Sequence, residues 1–139
     1  MRFVFVSTVA FALVAQDALA AAPNMKPGMW EITAKMEMPG MPGGMAPQVV
    51  KQCLTQKDTE NPQKVAQGGQ NCQISNYRQN GDTVSWDMAC QGTEEMTGSG
   101  TITFAGETYT GTTRMSMKAG GQTHTMTMLY SGKRVGDCK

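Results

Sequence analysis

The stretch MWEITAKMEM, Met29 to Met38, alternates apolar and polar side chains with a period of two. Trp30, Ile32, Ala34, Met36 and Met38 fall on one side; Glu31, Thr33, Lys35 and Glu37 fall on the other. Successive side chains of a strand point to opposite faces, so this pattern predicts a strand with one face buried and one in water. A helix would repeat every three to four residues, and nothing here does.

The same period continues downstream. Val49 to Leu54 reads as a second strand. Residues 55–67, TQKDTENPQKVAQ, break the pattern: Thr55 with Asp58 three positions on has the form of a helix N-cap, Pro62 interrupts, and Gly68-Gly69 stops it. One short irregular helix is expected there. Cys72–Gln79 and Asp82–Gln91 flank Asn80-Gly81, the strongest hairpin signal in the chain. A three-residue loop with a glycine bulge pairs Ile74 with Trp86 and Arg78 with Asp82, which suits the hydrophobic pattern best. Met96–Phe104 and Glu107–Lys118 surround Ala105-Gly106, with Ile102 opposite Tyr109. Thr108–Met117 and Gln122–Tyr130 surround Gly120-Gly121, and SGKRVGDCK reads as a terminal strand kinked at Gly132. Gly98, Gly100 and Gly111 inside strands mark bends or close backbone approach, as where a sheet curls, and the threonines of 93–127 suit half-exposed strands. The expected fold is therefore mainly β: about eight antiparallel strands in a strongly curved meander sheet or small barrel, with a sandwich as the other option.

Upstream, Met1-Arg2 leads into the apolar run FVFVSTVAFALVA, followed by Ala18-Leu19-Ala20. This is the composition of a cleaved secretory signal peptide, residues 1–20, and the run is too short to span a bilayer, which takes about 20 apolar residues. The expectation is an exported, periplasmic protein with no integral membrane segment after cleavage, a lead-in over 21–27 and one β domain over 28–139. The formal net charge is +1, and the basic residues are scattered, which argues against nucleic acid as a partner. The sequence carries no signal for oligomeric state.

Four cysteines, Cys53, Cys72, Cys90 and Cys138, contain no Cys-x-x-Cys, so zinc and thioredoxin-type motifs are absent. An even count in an exported chain predicts two disulfides. Of the three pairings, Cys53–Cys72 with Cys90–Cys138 is favoured: the first clips the polar 55–70 segment and the second ties down the C-terminus. In the hairpin register above, Cys72 faces Met88 and is only diagonal to Cys90, which disfavours bonding those two.

Taken together, PGMWEI, KMEMPGMP, VKQCLT, VSWDMAC, MTGSGTITF and YSGKRVGDC resemble a bacterial envelope family catalogued as domain of unknown function 3617, over nearly all of the chain after the leader. The resemblance implies an exported, disulfide-bonded β domain and supplies no catalytic residues.

Chemistry has few places to reside. The single histidine, His124, sits mid-strand between threonines; Glu94-Glu95 are adjacent, so on a strand they point apart; no nucleophile elbow, phosphate loop or cofactor motif occurs. The expectation is no enzyme and no cofactor. Thirteen methionines do call for explanation. Thioethers are soft ligands, and Met36, Met38, Met41 and Met45 in the stretch Lys35 to Pro47, with its Pro/Gly-rich loop 39–47, or the patch around His124, have the softness for Cu(I) or Ag(I). A two-residue Gly120-Gly121 turn sets Met117 opposite His124 and Met115 opposite Met126, on one face with Met128. Those are equally the positions of ordinary core residues, and methionine is an adaptable filler and binding surface. The reading preferred is a non-enzymatic envelope domain that binds a small lipophilic ligand or an envelope protein, with Met115, Met117, Met126, Met128, Tyr109 and Tyr130 lining a curled sheet. A metal site is the alternative. A cavity behind Trp30, Trp86 and the 115–128 methionines is what would favour a ligand.

Overall fold

The computed structural model describes residues 22–61, 71–92 and 95–139. The expected leader, the Pro62 and Gly68-Gly69 end of the helix, and Glu94 lie outside these residues. Among the described residues, seven strands form one antiparallel sheet: β1 (Gly28–Glu37), β2 (Gln48–Leu54), β3 (Cys72–Asn80), β4 (Thr83–Cys90), β5 (Met96–Phe104), β6 (Thr108–Ala119) and β7 (Gln122–Gly136). Their order is β2-β1-β7-β6-β5-β4-β3, so β2 and β3 are edges and the sheet is not closed. Neither a barrel nor a sandwich forms. The eighth strand is absent because the chain runs through Gly132 without a break, making β7 15 residues long. Among the described residues one short helix, α1 (Gln56–Glu60), follows β2 within the expected 55–67 span; its Thr55–Asp58 capping box is formed as the spacing suggests.

The sheet is steeply curved. Trp30 and Leu54 from one side of it pack in the same core as Val84, Trp86 and Met88 from the other. Two ring-on-glycine contacts make this possible. A Cβ at Gly100 would run into the Trp86 indole, and one at Gly132 would run into the Tyr109 phenol ring. Trp86 and Gly100 are cross-strand partners, as are Tyr109 and Gly132. Each ring therefore lies down over its partner's bare backbone, where a side chain would hold it upright. The convex face is polar and threonine-rich: Thr83, Thr103 and Thr110 are in cross-strand register, and the Thr83 and Thr103 hydroxyls are 3.0 Å apart.

Several registers differ from expectation. Gly120-Gly121 does make a two-residue turn, with Met117 opposite His124 and Met115 opposite Met126. Elsewhere the turns shift. The first hairpin turns on Gly81-Asp82, pairing Asn80 with Thr83, not on a loop that pairs Arg78 with Asp82. Asp82 is held in the turn: its carboxylate accepts from the Asn24 N–H at 2.9 Å and its carbonyl from the Phe104 N–H at 2.9 Å. A bulge between Ser75 and Arg78 then sets Ile74 opposite Met88 and Cys72 opposite Cys90. Ile74 and Tyr77 are three apart and would face opposite ways on a regular strand; the bulge, with Asn76 at φ +48°, turns both inward. The β5–β6 loop is likewise longer, with Ile102 opposite Gly111 and Phe104 opposite Tyr109. Its Gly106 is taken up by the lead-in, whose Met25 bridges to it.

These registers also overturn the favoured disulfide pairing. The bonds are Cys72–Cys90 and Cys53–Cys138. The first joins directly opposed residues of β3 and β4. The second follows from the central position of β1, where Met29 pairs with Cys53 on one flank and Gly136 on the other. The chain beyond Gly136 needs only two residues to reach across to β2. The sequence separations are 85 for Cys53–Cys138 and 18 for Cys72–Cys90, and loop-closure entropy makes the longer bridge stabilise by about 4.5 kcal/mol against about 3 kcal/mol for the shorter. Replacing Cys53 and Cys138 with serine should therefore lower the urea midpoint more than replacing Cys72 and Cys90. Peptide mapping of the native protein should recover Cys53 linked to Cys138.

Candidate functional site

Cross-strand partners share a face, so the register builds the concave wall row by row. At the Gly120-Gly121 end the row is His124, Met117, Met96 and Cys90, with Cys72 beyond. The next is Met126, Met115, Gly98, Met88 and Ile74. The third is Met36, Met128, Thr113, Gly100 and Trp86, the last two meeting ring to backbone. Sulfur thus gathers at one end of the trough. Aromatic rings gather at the other, where Trp30 and Tyr109 have ring centroids 5.5 Å apart and Tyr109 and Phe104 5.9 Å apart. That end is closed. Met25 packs there, the Trp30 indole N–H donates to the Lys26 carbonyl at 3.0 Å, and Gly106 exchanges backbone bonds with Asn24 and Lys26.

Between the two ends lies a cavity of about 460 Å3. Its wall comes from both edges of the sheet, with Ile32 and Gln52 on one side and the Cys72–Cys90 disulfide on the other. Trp86, Met88, Ile102 and Met115 are among its apolar lining, and no charged side chain lines it among the described residues. Gln52, Thr113, Tyr130 and Tyr109 are the polar exceptions. The Tyr130 hydroxyl donates to Thr113 Oγ1. Burial pushes the Tyr109 phenol up to about 12, with Tyr130 beside it adding to the shift. Burial also raises Tyr130, against the opposing effect of the Thr113 hydrogen bond.

The structure brings together four of the six residues expected to line the curled sheet: Tyr109, Met115, Met128 and Tyr130 border the cavity. Met117 and Met126 share the face but sit beyond the cavity, toward the hairpin tip. His124 is exposed there. The expected metal set separates. Met36 and Met45 line a small depression of about 90 Å3 together with Met128, and the Met45 N–H donates to the Met36 carbonyl at 2.9 Å. Met38 and Met41 close a turn, and Met41 is exposed. Residues 38–45 are thus a folded loop of successive turns.

Met88, Met96, Ile102 and Thr113 were not legible as site residues. The phase of alternation in Val84-Trp86-Met88-Cys90 held the signal for the first, since Trp86 already pointed inward. Thr113 shares the phase of Met115 and Met117, but its residue type gave no sign of burial: it is one threonine among many, yet it is 3% exposed while its neighbours in chain face water or lie half-buried.

The phenols make the burial testable. A tyrosine whose folded pKa exceeds its ordinary 10.0 leaves the unfolded chain to ionise first, so the fold keeps this stability below about pH 10 and loses it as pH rises toward about 12. Urea midpoints should be level through neutral pH and fall over that window, and Tyr109→Phe should flatten the fall.

No curated protein and no solved structure matches the chain. Residues 25–138 match the family described as protein of unknown function (DUF3617). With that match covering most of its length and the two disulfides, tryptophans and strand glycines all built into one sheet, the chain belongs to the DUF3617 family.

Proposed function

We propose that this is a non-enzymatic, exported envelope domain that holds a small lipophilic molecule in the concave cavity. One observation carries the reading: a space of about 460 Å3 on the concave face, lined mainly by apolar side chains. Ligand pockets are commonly 300–1,000 Å3, mostly apolar, with a few placed polar groups, and this one has that composition. An ordinary core is packed to near-crystal density, and apolar side chains left uncovered around such a space forgo burial without a return. Methionine on the walls lets one cavity fit ligands of differing shape, because its unbranched side chain repacks at little cost. Two disulfides and the absence, among the described residues, of any helix long and apolar enough to cross a membrane fit an exported location.

A second reading has its own support. Met36, Met45 and Met128 line one depression, and thioethers are the donors that select Cu(I). It predicts tight, stoichiometric Cu(I) uptake under reducing conditions, lost in Met45→Leu.

The lipophile reading predicts that N-phenyl-1-naphthylamine, a dye bright only in apolar surroundings, binds the purified protein with one site and is displaced by lipophiles extracted from the envelope. Met115→Trp, which fills the space, should weaken dye binding at least about tenfold while leaving the β circular dichroism spectrum in place. Dye affinity equal in wild type and variant would contradict the proposal.

A further inference from the structure

Met25 and Met88 are buried in the core and Met115 packs against it, but Met96, Met117 and Met126 do neither. Gap-filling, the ordinary use of methionine in a sheet, therefore does not account for these three. All are half-buried, and the exposed His124 lies with them on the concave face.

The register sets the four side by side. Met96 pairs with Met117 across β5 and β6, and Met117 pairs with His124 across β6 and β7. Direct cross-strand partners hold their Cβ atoms about 5 Å apart. Met126 follows two residues after His124 on the same face of β7, diagonal to Met117. Diagonal neighbours are about 7–8 Å apart, still within reach of long side chains. A methionine arm is unbranched and flexible, so sulfurs rooted at these spacings can meet at one point beside the imidazole.

The donors name the class of ion. Both disulfides are closed and no cysteine is free, which leaves thioethers as the softest donors. Among the described residues, no group of three or more His, Cys, Asp or Glu could hold a metal ion. Thioether sulfur selects soft ions such as Cu(I), and imidazole suits copper as well.

We infer that Met96, Met117, Met126 and the His124 imidazole bind one soft monovalent cation, of the Cu(I) and Ag(I) class, at the Gly120-Gly121 end of the concave face. This site is separate from the Met36, Met45 and Met128 depression, and it does not rest on the lipophile reading.

Silver(I) is the probe, because it shares the softness of Cu(I) and needs no reductant that would open the disulfides. It is titrated as the nitrate, in chloride-free buffer, into the disulfide-bonded protein. Carbon–proton NMR follows the methionine methyls and the His124 ring, whose signals stand out because the chain has one histidine. The first equivalent of Ag(I) should move the His124 ring signals together with the methyls of Met96, Met117 and Met126, identified by the Leu variant that removes each. Met117→Leu keeps the side-chain volume and removes the sulfur. It should weaken Ag(I) binding at least about tenfold, the scale on which even the outer partners of a metal act. His124→Gln should weaken it as well, and Met45→Leu should leave it unchanged. Should Met117→Leu not fold, the ring shift in wild type decides alone. A first equivalent that leaves the His124 ring unmoved, or affinity equal in wild type and folded Met117→Leu, overturns the inference. Affinity lost in Met45→Leu and kept in Met117→Leu overturns it in favour of the other depression.

Discussion

The structure depends on rings lying flat over bare backbone in the middle of a sheet. Trp86 covers Gly100 and Tyr109 covers Gly132, while Ile102 and Tyr130 crowd Gly111 between them. A side chain at any of these glycines would prop its neighbour upright, flatten the strands locally and hold the two edges apart. With glycine in place the strands bend toward their own inner face, and Trp30 on β1 reaches the same core as Val84 on β4. Those two side chains are the most completely buried large ones among the described residues. Curvature, core and cavity are therefore one consequence of where the sequence omits a Cβ.

The trough that results is graded along its length. Stiff, flat rings fill the end closed by the lead-in, and flexible thioethers line the end toward the Gly120-Gly121 turn. Rings can be packed tightly because their shape does not change. Methionines leave a surface that can rearrange. The disulfides lock the scaffold and not the lining as a whole: Cys53–Cys138 pins edge strand β2 to the end of β7, and Cys72–Cys90 pins the other edge pair. An open sheet has two unpaired edges that fray first, and each bridge holds one of them.

The strands themselves were legible because period-two alternation is a local signal. MWEITAKMEM forms β1, and the Gly120-Gly121 turn sets its hairpin in the expected register. Registers failed where a distant segment decides the turn. Asn80-Gly81 looks like a better turn than Gly81-Asp82 until Asn24 and Phe104 bond to Asp82. Ala105-Gly106 looks like a tight turn until the lead-in pairs with it. One such shift moved Cys72 opposite Cys90, so the disulfide error followed from the register error and not from the chemistry of cysteine. Tyr109, Met115, Met128 and Tyr130 were readable as lining from face alone, whereas Met117 and Met126 show that sharing a face does not fix position along a trough.

The central claim is that the curved sheet leaves an apolar space on its concave face and does not simply fold onto a packed core. A crystal of the protein held under xenon pressure tests this most directly, because xenon enters dry apolar cavities and leaves packed cores empty. The account predicts xenon density between Met88, Ile102 and Met115. Crystals with no xenon on the concave face, and side chains closing the space between Trp86 and Tyr130, would contradict it.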